Sequence, residues 1–203
     1  MIQWLFFDLG CTLIDESVCV DYRMQLLLRQ PGAPDRETLV RHMIHCAQNG
    51  GVPYKDTARK FGLTTVPWPW TLEQLYPGVP ELLSSLRGRY RLGVIANQVP
   101  GAERRIIHHG IRDCFDVFLA SAEEGLCKPD PAFFRRALSL AGCAPEEACM
   151  IGDRLDYDIQ PAAALGMHTV WVRQSFFGLG DPSRYVYQPE HTIAAIEDLP
   201  QIL

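Results

Sequence analysis

The chain has 203 residues, of which 47% are hydrophobic and 21% charged, a balance typical of a soluble globular protein. Its 19 basic and 24 acidic residues give a net charge of −5, which disfavours broad binding to nucleic acids or anionic membranes, because both require a basic face. No apolar stretch approaches the length of a membrane span, the first residues lack a secretory pattern, and the seven cysteines form no CxxC pair. We therefore expect a cytoplasmic protein without a disulfide framework or a zinc site.

The first predicted element is a buried strand over residues 2–8, an apolar and aromatic run that ends in Asp8. Residues 9–14 form the turn beyond it. From residue 15 to about residue 77 the pattern predicts helices and no strand. These helices cover residues 17–29, 35–48 (with Asp35 as the N-cap) and 54–61, and a rigid linker rich in proline and tryptophan follows at 66–70.

From residue 77 onward, predicted helices and strands alternate. The helices are expected at 77–89, 101–109, 131–141, 158–165 and 193–203, and the strands at 91–96, 116–120, 149–152 and 168–172. Residues 174–192 are expected to form an irregular loop. The alternation predicts an α/β fold of three layers, in which helices cover both faces of a parallel sheet.

Two carboxylates lie at the ends of predicted strands: Asp8 ends the first one, and Asp153 directly follows the strand at 149–152. Ligands of open α/β sheets bind beyond the carboxyl ends of the strands, so both side chains lie where chemistry is expected. Two neighbouring carboxylates repel each other unless a cation neutralises them, and Mg²⁺ prefers a few carboxylates together with water and phosphate oxygens. The pair therefore predicts a Mg²⁺ site.

Four polar stretches follow one another in a specific order along the chain. They are Asp8-Leu9-Gly10-Cys11-Thr12, Ala96-Asn97-Gln98, Lys128-Pro129-Asp130-Pro131, and Gly152-Asp153 with Asp158. This order resembles the haloacid dehalogenase (HAD)-like hydrolase superfamily over nearly the whole chain, most specifically in the last stretch. The resemblance implies a Rossmann-like core domain at 1–14 and 77–203 and a small α-helical cap domain inserted at 15–76.

The resemblance also implies roles for individual residues in a phosphatase that acts through an aspartyl-phosphate. Asp8 would be the nucleophile and a Mg²⁺ ligand, the carbonyl of Gly10 and Asp153 further ligands, and Asp158 a support of the metal shell from the second layer or through water. Lys128 would offset charge on Asp8 and the phosphoryl group, and the Thr12 hydroxyl would lie near the nucleophile. The expected phosphate contacts are Gly10, Cys11, Asn97 and Lys128. The partner would be a small phosphorylated substrate, and the protein a monomer or homodimer.

Two positions depart from the pattern of the family's phosphatases. Gly10 stands where those enzymes usually carry a second aspartate, which acts as general acid and then as general base. Ala96 stands where they usually carry Ser or Thr, although Asn97 follows and has donors of its own. General acid–base catalysis contributes about 10²–10⁴-fold, so the loss at Gly10 is large unless another group replaces it.

These departures leave three hypotheses open. The first is an active phosphohydrolase whose acid–base group comes from water or from the cap, with Asp15, Glu16, His42, His45 and Tyr54 as the candidates. The second is an impaired protein that binds a phosphate or a partner. The third is a dehalogenase-like enzyme, against which the retained acidic residues argue, or a phosphonatase with Lys55 or Lys60 as its Schiff-base lysine.

Overall fold

The computed structural model describes residues 1–203, and its central feature is a sheet of six parallel strands. The strands of the chain are β1 Trp4–Phe7, β2 Ile14–Asp15, β3 Gln74–Leu75, β4 Arg91–Ala96, β5 Val117–Ala120, β6 Ala148–Gly152, β7 His168–Val172 and β8 His191–Ile193. The order across the large sheet is β5-β4-β1-β6-β7-β8, so β1 lies inside it between β4 and β6. The predicted α/β fold with a parallel sheet is confirmed.

Eight α-helices accompany the strands. They are α1 Ser17–Leu28, α2 Arg36–Gln48, α3 Pro53–Lys60, α4 Val79–Leu86, α5 Ala102–His108, α6 Ser121–Glu124, α7 Pro131–Ala141 and α8 Gln160–Ala164. None of them combines the length and the apolar character needed to cross a bilayer.

The side chains of β1 alternate between two hydrophobic clusters, one on each face of the sheet. Leu5 and Phe7 belong to a cluster of 22 buried residues that includes the apolar sides of α4 and α5. Trp4 and Phe6 belong to a cluster of 13 that includes the apolar side of α7. Because both faces of β1 are covered, every one of its residues is apolar, and the first polar side chain beyond it is Asp8.

The inserted segment forms a cluster of its own. Seven buried residues of α1, α2, α3 and the turn after α3 pack together, among them Met24, Leu39 and Tyr54. The expectation of a segment without strands is wrong, because β2 and β3 pair antiparallel at its base, with Ile14 opposite Leu75. Two-residue strands carry no alternation that a sequence pattern can reveal, so only the pairing defines them.

The C-terminal part also differs from the sequence prediction. Residues 191–193 form β8 at the sheet edge, although 174–192 was expected to be a loop and 193–203 a helix. The tail beyond β8 is a 3-10 helix, Ile196–Gln201, and Pro200 within it is unfavourable to a regular α-helix. The helix expected at 158–165 is preceded by a π-helical turn, Leu155–Ile159, and only then becomes α8.

Candidate active site

Asp8 lies at the carboxyl end of β1, in the middle of the sheet. Its backbone N–H donates to the carbonyl of Ile151 at 2.9 Å, which extends the pairing of β1 with β6 by one residue. Asp153 follows β6 directly and therefore reaches the same edge of the sheet. The parallel register thus brings together two acids that are 145 positions apart in the sequence.

Lys128 joins the cluster from the loop before α7. Its ammonium group donates to Asp8 Oδ1 at 2.7 Å and to Asp158 Oδ1 at 2.6 Å, and only 2% of its side chain is exposed. Burial by itself would lower the pKa of Lys128, but the carboxylates of Asp158 and Asp8 outweigh burial and raise it. The lysine is therefore a fixed positive charge beside Asp8.

Asp158 is wholly buried, and both of its carboxylate oxygens have partners within the protein. Oδ1 accepts from Lys128, and Oδ2 accepts from the backbone N–H of Arg154 at 3.0 Å. Gly152 makes this position possible, because a Cβ at residue 152 would overlap the Asp158 carboxylate. Glycine at position 152, next to Asp153, is therefore explained by the steric requirement of the Asp158 carboxylate.

Asp153 is held by groups of β7 and of the segment after it, which sequence reasoning missed. The Ser175 hydroxyl donates to its Oδ2 at 2.7 Å, and the indole N–H of Trp171 donates to its carbonyl at 2.9 Å. Burial, then the charges of Asp8 and Asp158, raise the pKa of Asp153 well above its usual range. Ser175 lies in a segment without regular pattern, so no sequence signal indicated it.

The three aspartates at this edge form a donor set that suits a divalent cation. One carboxylate oxygen from each of Asp8, Asp153 and Asp158 lies within 4.8 Å of the others. Lys128 balances only part of their charge, and hard oxygen donors are the ligands that Mg²⁺ prefers. Asp8 and Asp153 have the freer oxygens, whereas Asp158 is engaged by Lys128 and Arg154.

Asn97 is placed beside the cluster but is engaged in positioning the lysine loop. Its side-chain oxygen accepts from the backbone N–H of Lys128 at 2.8 Å, and its amide donates to the Lys128 carbonyl at 2.8 Å. The side chain thus pins the backbone of the residue whose ammonium group meets Asp8. This use differs from the phosphate contact that the sequence suggested for the Asn97 amide.

The turn between β1 and β2 carries Gly10, Cys11 and Thr12. Cys11 adopts a left-handed backbone with φ 57°, and Gln174 donates to the carbonyls of Cys11 and Thr12 at 3.1 and 2.9 Å. Thr12 is fully buried, and its hydroxyl has no hydrogen-bond partner in the protein. The turn is therefore held through its backbone.

Glu16 returns to this turn from the end of β2. A Cβ built on Gly10 would lie 2.5 Å from Glu16 Oε1, so the glutamate carboxyl group fills the space beside the glycine. The Cys11 thiol donates to Glu16 Oε2 at 3.6 Å. Burial, then the charge of Asp8, raise the pKa of Glu16 to about 8.

The other acid–base candidates of the cap are engaged elsewhere. Asp15 Oδ1 accepts from the backbone N–H of Ser17 at 2.8 Å, and Tyr54 accepts through its hydroxyl from the N–H of Val66 at 3.0 Å. His42 bonds with Thr57 at 3.0 Å inside the cap, and His45 contacts Asn49. Glu16 is therefore the candidate whose carboxyl group adjoins Gly10.

Two cavities meet at Glu16. One, of about 640 Å³, lies between α1, α3 and residues 174–179 and has mostly apolar and aromatic walls. The other, of about 530 Å³, is lined by Asn97, Gln98 and cap residues including Lys55. Glu16, Arg23 and Trp68 line both cavities, so the Glu16 side chain borders each of them.

Comparisons with known proteins address the family of the chain. The model of the haloacid dehalogenase-like hydrolase family matches residues 29–166. The chain therefore belongs to the haloacid dehalogenase-like hydrolases, and the predicted family is confirmed.

The chain is similar to two curated phosphatases. It is 36% identical over 143 residues to phosphoserine phosphatase of Thermus thermophilus, across 68% of this chain but only 55% of that protein. It is 29% identical to glyceraldehyde 3-phosphate phosphatase of Pyrococcus furiosus, across 100% of this chain and 92% of that protein. These relatives support the predicted enzyme class, a phosphohydrolase.

Among solved structures, the fold is similar to that of the HAD-hydrolase YfnB from Bacillus subtilis, which was solved bound to magnesium. The TM-score is 0.76 at 19% identity, across 100% of this chain and 98% of that chain. At this identity the likeness shows the shared fold, and it agrees with the expected Rossmann-like core.

Proposed function

We propose that this chain is a Mg²⁺-dependent phosphatase of a small phosphorylated molecule and that it acts through an aspartyl-phosphate on Asp8. The observation that carries the proposal is the cluster of Asp8, Lys128, Asp153 and Asp158 at one edge of the sheet. The named phosphatase relatives support the reaction class. The expectation of a small substrate is supported by cavities of about 640 and 530 Å³, a size typical of small-molecule sites.

Each residue of the cluster has a proposed role. Asp8 attacks phosphorus, and Lys128 stabilises the charge on Asp8 and on the phosphoryl oxygens, because its ammonium group is already fixed and desolvated. Asp8, Asp153 and the Gly10 carbonyl hold Mg²⁺, and Asp158 supports the site by orienting Lys128. When bound, the ion would neutralise negative charge on the carboxylates and on the phosphate. Backbone groups of Gly10, Cys11 and Asn97 are the proposed phosphate contacts, and Thr12 supports the turn.

We propose residues 15–76 as a cap over this site and residues 1–14 and 77–203 as the core domain. The separate hydrophobic cluster of α1–α3 supports this division, as does the β2–β3 pair that closes the base of the insert. A cap that contributes Arg23, Tyr54 and Trp68 to the larger cavity would select the substrate. The division predicts that substitutions at these three positions change KM more than they change the rate at which Asp8 attacks phosphorus.

The test is phosphate release from a panel of aryl, acyl and sugar phosphates, with Mg²⁺ and with EDTA. We expect turnover that requires Mg²⁺ and falls at least about 10³-fold in Asp8→Asn, because the nucleophile is lost. The matched control is Asp113→Asn, since Asp113 is an exposed acid outside the cluster.

Turnover that persists in Asp8→Asn would contradict the proposal. Phosphate binding without turnover would favour the impaired binding protein, and halide release without metal would favour the dehalogenase. Hydrolysis of a phosphonate that is lost in Lys55→Gln would favour the phosphonatase.

A further inference from the structure

The family's second catalytic aspartate is missing at Gly10, but the space of its side chain is occupied. The first carbon of any side chain at residue 10 would lie 2.5 Å from Glu16 Oε1 and 3.0 Å from Glu16 Cδ. A carboxyl group therefore stands where a side chain from residue 10 would begin, although it belongs to another residue.

The local fold explains how Glu16 reaches this place. The turn after β1 closes on itself through a bridge between Gly10 and Ile14, so β2 starts beside residue 10. Glu16 follows β2 and is the residue before α1, where the chain reverses direction. Residues 10 and 16, which are six positions apart in the sequence, are thereby brought into contact.

Glycine and glutamate at these two positions are sterically linked. A side chain at residue 10 and the observed position of Glu16 exclude each other, because contacts under 3.0 Å are not tolerated. The glycine thus does more than remove an acid: it leaves the room that the Glu16 carboxyl group fills.

Glu16 is also accessible to a bound molecule and free of ion pairs. It lines both cavities, and no arginine, lysine or histidine forms an ion pair with it. Its hydrogen-bond donor from a side chain is the weak one of the Cys11 thiol. A carboxyl group that is not engaged in a salt bridge is available for proton transfer.

We infer that Glu16 is the general acid and base of this enzyme and replaces the aspartate that is missing at Gly10. The inference rests on the proposed phosphatase function. In the first step Asp8 attacks phosphorus, the bond from phosphorus to the leaving oxygen breaks, and Glu16 gives its proton to that oxygen. In the second step the Glu16 carboxylate takes a proton from water, the water oxygen attacks phosphorus, and the bond to Asp8 breaks to release inorganic phosphate.

The first experiment compares Glu16→Gln with the wild type on phosphates whose leaving groups differ in acidity. We expect a loss of about 10²–10⁴-fold in kcat/KM for alkyl phosphates and a much smaller loss for p-nitrophenyl phosphate, because a good leaving group needs no proton. Glu37→Gln is the matched control, since Glu37 is an exposed cap glutamate that pairs only with Arg41. An equal loss on all substrates, or none, overturns the inference.

The second experiment uses the steric link between the two positions. Glu16→Ala opens the space, and adding Gly10→Asp places a carboxyl group there from the other side. We expect the double variant to be at least about tenfold more active on alkyl phosphates than Glu16→Ala. We also expect Gly10→Asp alone to be less active than the double variant. A double variant no better than Glu16→Ala contradicts the role.

A third readout is independent of steady-state turnover. With p-nitrophenyl phosphate, Glu16→Gln should complete the first step and stall before hydrolysis, so rapid quench and intact mass should show a phosphoryl group on Asp8. If Glu16→Gln turns over without accumulating phosphorylated Asp8, another group activates water and the inference fails. Asp8→Asn tests the proposed function separately: if its activity equals that of the wild type, the aspartyl-phosphate route fails whatever Glu16 does.

Discussion

At the scale of single residues, the site depends on close approaches that allow no extra atom. Gly152 lies against the carboxylate of Asp158, and that carboxylate orients Lys128. Lys128 in turn reaches Asp8. A chain of contacts therefore connects a glycine, which has no chemistry of its own, to the nucleophile.

We expect Gly152→Ala to lower the free energy of unfolding by at least about 2 kcal/mol, because overpacking displaces the buried Asp158. Urea denaturation measures the change. Gly88→Ala is the matched control, since a Cβ there would meet nothing nearer than the Ser85 carbonyl at 3.8 Å. Equal stabilities for the two variants would contradict the steric account.

Glu16 predicts a pH dependence of stability in EDTA. The pKa of Glu16 is raised from 4.5 to about 8, so the folded state keeps a proton that the unfolded state loses. The contribution of Glu16 to stability therefore falls as pH rises between these values. Glu16→Gln removes this effect, so the stability of the variant relative to the wild type should grow by about 2 kcal/mol from pH 5 to pH 8. This change is smaller than the upper limit of about 1.4 kcal/mol for each pH unit, because solvent screens part of the interaction. A constant difference across that range would rule out the raised pKa.

At the scale of elements, the linker before β3 is tied to the core by a buried network. Trp68 donates to Glu73 at 2.6 Å, and Glu73 forms an ion pair of 3.2 Å with Arg105 of α5. Arg105 donates to the side-chain oxygen of Gln98 at 2.6 Å, just beyond β4. The network thus joins the base of the insert to the loop that carries Asn97.

Removing Glu73 should be costly because it leaves a buried guanidinium without a counter-charge. We expect Glu73→Gln to lower the free energy of unfolding by about 3–5 kcal/mol. Glu81→Gln, at an exposed position in the first turn of α4, should cost less than about 1 kcal/mol. Thermal and urea unfolding of the two variants give the comparison, and similar losses would show that the network contributes little.

At the scale of the whole molecule, the sheet topology gathers charge at one edge. Placing β1 between β4 and β6 brings Asp8, Asp153 and Asp158 together, and one lysine, Lys128, pairs with two of them, Asp8 and Asp158. Folding without metal therefore concentrates negative charge in a poorly solvated place. A cation that binds only the folded state should stabilise the protein by mass action.

We expect saturating Mg²⁺ to raise Tm by roughly 5–10 °C, since a ligand at 100 times its Kd contributes about 2.7 kcal/mol and each kcal/mol shifts Tm by about 2–4 °C at this size. Asp153→Asn should abolish most of the shift, and Asp113→Asn should keep it. Differential scanning calorimetry with Mg²⁺ and with EDTA makes the measurement. A shift that survives in Asp153→Asn would place the ion elsewhere.

Much of the architecture was predictable because its causes are local. The run Trp4–Phe7 before Asp8 is apolar at every position, which is the local pattern of a strand covered on both faces, and the Asp35 side chain caps α2 by accepting from the N–H of Thr38 at 2.9 Å. Periodicity and turn chemistry of this kind can be read from neighbouring residues. The β2–β3 pair and β8 escaped prediction, because strands of two and three residues exist through their partners and not through their own pattern.

The sequence by itself determined the α/β fold, the family and the positions of the charged residues that form the cluster, since strand patterns and motif order lie within the chain. Only the tertiary structure decided which candidate adjoins Gly10, that Asn97 holds the backbone of Lys128, and that Ser175 supports Asp153. The direction of a side chain across a turn or an inserted segment depends on packing with residues that are distant in sequence. Spacing along the chain does not encode that packing, and the Glu16 carboxyl group beside Gly10 is the clearest case.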